Sequence, residues 1–192
     1  MKLRAVATIL GVLAIASGAR GDLPVAGVPS AQLVDALSGI DFVAQRPVLD
    51  LLLGATPGEA LAAIAATETV DPGIRLRALR AIALYPSPES RAALTVEIAA
   101  HGAATRGTEL LHLRPAVDAL GVIGQPEDVA AIVPMLDKEE SRDVRATAAY
   151  ALRDIGSSAA SGPLRARLGK EHAEQVKFAI SDALRVLAGS PQ

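Results

Sequence analysis

The strongest constraint in this sequence is a face of small and medium apolar residues that returns at a fixed interval. Within Ser141–Gly156, residues Val144, Ala148, Ala149, Ala151, Leu152 and Ile155 fall at helical spacing. Gly156 follows them, where a helix C-terminus takes a left-handed residue. Thirty-two positions upstream, Ala116, Val117, Ala119, Leu120, Ile123 and Gly124 hold equivalent places. Thirty-two positions downstream, Val176, Ile180, Ala183, Leu184, Leu187 and Ala188 do so. A fourth copy carries Ile74, Ala78, Leu79, Ala81, Ile82 and Tyr85. A single unit of this kind cannot bury its apolar face alone. The period therefore predicts an all-α stack, an α-α superhelix of about five antiparallel helix pairs.

Composition fits that reading. Hydrophobic residues make up 51% of the chain and aromatics 2%, so the core is built from Ala, Leu, Val and Ile. Such residues suit helices in close contact, and alanine favours the helix intrinsically. A net charge of −2 argues against general polyanion binding, which needs a concentrated basic surface. The chain has no cysteine, which excludes disulfides, thiolate chemistry and Cys-ligated metals.

At the N-terminus Lys2 and Arg4 precede an apolar run, Ala5–Ala16, too short to span a membrane comfortably. Ser17-Gly18-Ala19 then offers small residues at a cut after Ala19, the order of a secretory signal peptide over 1–19. Its removal leaves 17 basic against 21 acidic residues. Export to the periplasm or beyond is expected, with no membrane association after cleavage. Residues 20–41 read as a Gly/Pro-rich linker with a short capping helix, Ala31–Leu37, behind Ser30. The repeats are expected over 42–188, and 189–192 should be a frayed tail.

Proline and capping residues divide the repeat region. Helices are expected over Phe42–Leu53, from Thr56-Pro57 to Ala66, from Asp71-Pro72 to Leu84, and over Glu89–Ala100. His101–Gly107 is a polar insertion that lengthens this unit to 38 residues. Thr108 should cap a helix to Ile123, bent near Leu111–Pro115 because an internal proline loses a hydrogen bond. Partner helices are expected from Gln125 to Leu136 and from Ala159 to Leu168, before a last helix over Glu171–Ala188.

The runs D-P-G-I-R-L-R-A-L-R-A-I at Asp71–Ile82 and D-V-R-A-T-A-A-Y-A-L-R-D-I-G at Asp143–Gly156 resemble HEAT repeats. They are most similar to the HEAT-like variety of the bilin lyases, and the likeness extends over about Phe42 to Ala188. At His112-Leu113 the family's arginine is missing. The resemblance implies antiparallel pairs stacked in a right-handed superhelix whose second helices line a concave, protein-binding surface. A fold of this kind licenses no single activity.

Arg75, Arg145 and Lys177 share one repeat position, each behind an acid: Asp71, Asp143 and Glu174. They read as a structural ladder, in which each cation meets a helix-end carbonyl or an acid of the neighbouring repeat. On the second helices, positions beside the core line form rows: Arg91, Val129 and Ser161; Thr95, Val133 and Arg165; Glu97, Met135 and Arg167. Val133, with Val129 and Met135, would form an apolar centre flanked by Arg91, Arg165 and Arg167, with Thr95 beside it. That surface suits an acidic or amphipathic peptide.

Chemistry is not indicated. There is no Gly-x-Ser-x-Gly elbow, Walker A motif or His-Glu-x-x-His. Glu109-x-x-His112 occurs once, where a di-iron bundle uses the motif twice with further inward glutamates. No catalytic, metal or cofactor residues are therefore expected. The sequence reads as a scaffold or accessory subunit for a protein or peptide, and not as an enzyme. Two alternatives follow from the resemblance: a maturation factor or lyase of the bilin lyase type, and a nucleic-acid-binding array. The acidic balance and lack of Trp weigh against the second.

Overall fold

The structure is a computed structural model that describes residues 29–39 and 45–189. The expected signal peptide, the first part of the linker, residues 40–44 with the expected helix start at Phe42, and residues 190–192 lie outside them. Among the described residues there are ten α-helices and no strand. They are α1 (Ala31–Ser38), α2 (Arg46–Leu53), α3 (Pro57–Ala66), α4 (Pro72–Ile82) and α5 (Pro88–His101). Then come α6 (Gly107–Ile123), α7 (Val129–Ile132), α8 (Arg142–Ile155), α9 (Ser161–Leu168) and α10 (Glu174–Gly189).

The helix starts follow from short polar side chains that satisfy the orphan N–H groups of a first turn. Ser30, Ser87 and Ser141 accept from the N–H groups of Leu33, Ser90 and Val144. Asp71 accepts from Gly73 and Ile74. Thr56 makes no side-chain cap bond. Thr108 does not cap α6 either; that helix starts one residue earlier, at Gly107, with Arg106 before it. α6 is continuous through Pro115, so the expected bend does not interrupt it. Gly156 closes α8 in the left-handed conformation, with φ of 74°, and its N–H bonds the Leu152 carbonyl.

The helices form two layers. In the first, α1 packs on α4, and α4, α6, α8 and α10 lie side by side. In the second, α3 lies beside α5, α5 beside α7, and the segment after α7 beside α9. The closest pairs across the layers are α3 with α4, α5 with α6, the α7 segment with α8, and α9 with α10. With α1 and α2 these make five pairs, offset by one helix from the partners that the sequence spacing suggested. α1, and not α2, makes the principal contact with α4. α2 is tied down instead through Tyr85, whose hydroxyl donates to Asp50 at 2.9 Å while Arg46 lies over its ring. Burial, reinforced by the Asp50 carboxylate, pushes the Tyr85 phenol up to about 12.

The expected helix from Gln125 to Leu136 is broken into a 3-10 turn (Pro126–Asp128), α7, and a second 3-10 segment (Val133–Asp137). Pro134 cannot donate to the Ala130 carbonyl and its ring crowds it, so the chain tightens there. A 3-10 turn, Ser158–Ala160, likewise precedes α9.

The layers are joined by a buried ion network at the C-terminal end. Glu171 is 4% exposed and Arg145 6%. Arg145 Nε and Nη2 donate to the two Glu171 oxygens at 2.8 and 3.0 Å, and Nη1 reaches the Lys138 carbonyl. Arg167 donates to Glu171 at 2.7 Å and to Glu139. The other Glu171 oxygen accepts from the N–H groups of His172 and Ala173 ahead of α10. Burial pushes the Glu171 carboxyl up. The bonds from Arg145, the Ala173 N–H and Arg167 outweigh it and hold the group far below the ordinary carboxylate range.

A Cβ on Gly121 would stand 2.5 Å from the Ala151 Cα, so Gly121→Ala should force α6 and α8 apart and cost about 1–3 kcal/mol. Gly162→Ala, with nothing near its Cβ, should be neutral or slightly stabilising in the same chemical denaturation. Because the Glu171 pKa is lowered on folding, its contribution is complete above the unfolded value of 4.5 and is lost as pH falls below it. Glu171→Gln should destabilise by about 3–5 kcal/mol at neutral pH, and the deficit should shrink on acidification. Urea midpoints from pH 7 to pH 3 check the sign.

Candidate functional site

Two ties hold α5 and the α7 segment side by side and parallel. At their starts Arg91 Nε donates to Asp128 at 2.6 Å and its Nη2 meets Glu127. At their ends Lys138 Nζ donates to the Gly102 carbonyl at 3.0 Å and lies 3.4 Å from Glu140. Between the ties lies a groove of about 530 Å³. Thr95, Ala99, Gly102 and Ala103 line it from one side, and Ala130, Ala131, Pro134 and Met135 from the other. Asp137, Lys138 and Glu140 close it with mixed charge. Small side chains create this groove: alanines on both walls leave room where leucines would fill it.

The expected partner surface is only partly present. Thr95 lines the groove, with its hydroxyl donated to the Arg91 carbonyl. Val133 is half-buried against the core, and Arg165 is exposed. Arg91 is engaged by Asp128 and Glu127. Val129 and Met135 are not an exposed apolar centre; they are 6% and 5% exposed. Arg167 is no flank either, being buried under Glu171 and Glu139. The row Glu97, Met135 and Arg167 turns inward because each second-layer element packs on the first-layer helix that follows it, α5 on α6, the α7 segment on α8 and α9 on α10, and not on the one that precedes it.

The proposed ladder positions behave individually. Arg75 is buried and its Nε donates to the Ala65 carbonyl, at the end of α3, at 2.7 Å. Arg145 reaches Glu171 and the Lys138 carbonyl, as described above. Lys177 stays on its own helix with Glu174, at 2.8 Å and exposed. Asp143 is exposed beside Arg142, and Asp71 caps α4. No cation of a neighbouring repeat is recorded on either acid.

Leu113 stands at the position of the missing arginine, and His112, just before it, is 1% exposed. Its Nδ1 lies 2.8 Å from Glu97 Oε1. The same carboxylate oxygen is 3.1 Å from His101 Nε2, one turn further along α5. The two imidazoles meet edge to face, with centroids 4.9 Å apart. Burial lowers the His112 pKa, against the hydrogen bond to the Glu97 carboxylate and with the help of the nearby Arg75 charge. This is the group among the described residues that could hold a metal ion. Glu109 is exposed and His172 stands elsewhere, beside Glu171. Glu97-x-x-x-His101 was the signal in the sequence, but spacing alone does not show which face of α5 meets α6.

Among the described residues no single helix is long and apolar enough to cross a membrane. α2 and α3 are apolar enough only together, and they meet at 81° with Leu61, Ile64 and Ala65 of α3 in the core.

A family model described as HEAT repeats matches residues 103–185, from the loop after α5 into α10. Compared with curated proteins and with solved structures, the chain has no match. HEAT repeats usually mediate protein interactions and are mostly non-catalytic. The chain has an all-α helical repeat fold, similar over residues 103–185 to HEAT repeats.

Proposed function

We propose that the protein is an exported scaffold or accessory subunit that takes a peptide segment of a partner protein into the groove between α5 and the α7 segment. The observation that carries the reading is the lining of that groove. Ala99, Ala103 and Ala130 are exposed, and a wall of small side chains gives an extended peptide close access to the helix backbones. No aromatic residue lines it, so it suits aliphatic side chains better than a stacked ring. The mixed charge of Asp137, Lys138 and Glu140 at one end would set the direction of the bound segment. Export is supported by Lys2 and Arg4, the apolar run after them, and the small residues ending at Ala19.

A photo-cross-linking residue placed at Ala99 or Ala130 should capture one and the same partner in cells. The same residue at Leu111 or Phe178, exposed on the first layer, should not. Ala99→Arg should fill the groove, keep the helix content, and weaken binding of that partner at least tenfold. Equal capture from both layers would overturn the groove as the site. The mature chain should begin at Arg20, which N-terminal sequencing checks.

A further inference from the structure

We propose that Glu97, His101 and His112 form a site for a divalent transition-metal ion of the zinc class. The inference is independent of the groove and of any partner in it.

The donor set comes first. One carboxylate and two imidazoles from two helices bring their ligand atoms within 4.8 Å of one another. Two histidines and a glutamate make an N/O set suited to Zn²⁺, needing no thiolate in a chain that has no cysteine. Ligands about 2.0–2.2 Å from a tetrahedral ion stand roughly 3.3–3.5 Å apart. The present separations from Glu97 Oε1, 2.8 Å to His112 and 3.1 Å to His101, therefore need to open by a few tenths of an ångström, and the two imidazole nitrogens, within 4.8 Å of one another, need to come to the same spacing. Rotation of the Glu97 and His101 side chains can supply that.

Glu97 is buried, and among the described residues its ion-pair partners are these two imidazoles. With both rings neutral, Glu97 has no cation paired with it among the described residues, and a divalent ion would supply one. Arg75 carries its charge near His112, but its Nε is directed to the Ala65 carbonyl.

His112 Nε2 is buried with no hydrogen-bond partner among the described residues. In the neutral ring that donates from Nδ1 to Glu97, Nε2 is an unpaired acceptor. With a metal on Nδ1 it becomes an unpaired donor. The cost falls on both states, so it does not oppose metal binding. His112 forms the buried floor, while the His101 and Glu97 side chains, 17% and 11% exposed, leave one edge open to solvent for entry and for a water as fourth ligand.

The test uses the full chain, freed of metal and titrated with Zn²⁺ by calorimetry and with Co²⁺ by visible absorption. One ion per chain is expected, with the intense visible bands of four-coordinate Co²⁺, and the ¹⁵N signals of His101 and His112 should shift while those of His172 do not. His101→Gln, at a partly exposed position that the fold tolerates, should weaken Zn²⁺ binding at least tenfold, and so should Glu97→Gln; His172→Ala should leave it unchanged. No saturable binding up to roughly 0.1 mM Zn²⁺ would overturn the site. So would unshifted His112 signals in the wild-type chain, or undiminished binding in both variants. The imidazole signals keep the test decisive even where a variant loses its fold.

Discussion

The close approach of first-layer helices is the contact on which the rest of the molecule depends. Gly121 of α6 faces Ala151 of α8 with no room for another methyl group, and Ala116, Ala119, Ala148 and Ala149 are buried around them. Where backbones come this near, each helix shields its neighbour's face along most of its length, and dispersion contacts accumulate without large side chains. The 2% aromatic content is thus an outcome of the architecture. A Trp or Phe in this seam would separate the first-layer helices that the alanines bring together.

Such a seam fixes spacing but says little about register, since alanine surfaces can slide. Buried polar groups supply what the apolar faces lack. Arg75 on the Ala65 carbonyl, Glu97 between two histidines, and Glu171 between Arg145 and Arg167 each stitch one layer to the other at a defined height. A shift of one turn would strand these groups away from water without partners. Three different chemistries serve the same structural need at successive joints, and the middle one, without an arginine, is the joint with donor atoms to spare.

The first layer was legible because each of its helices carries an unambiguous 3.6-residue pattern and its own punctuation. α8, with Ser141 at one end and Gly156 at the other, is the clearest case. The second layer was less so. Pro134 lies in what reads as an ordinary helix, and only the fold shows that the chain tightens around it. Val129 and Met135 flank Ile132 and Leu136, the core residues of the same segment. An element packed on two sides buries a wider arc than a sequence pattern assumes, and both residues fell within it. Glu171 read as the first residue of a helix and is instead the hub that precedes it. Long-range pairings such as Glu97 with His112 depend on which faces of two helices meet, and no local pattern records that.

The insertion between α5 and α6 occupies an unusual corner. Gly102 and Ala103 shape the end of the groove, the Gly102 carbonyl anchors Lys138, and the preceding residue is His101. Lengthening or shortening this loop would remodel all three while leaving the stacked layers untouched, because the loop takes no part in the seam. Relatives with the same scaffold could therefore diverge in what they recognise through this one corner, keeping an invariant frame beneath a variable mouth.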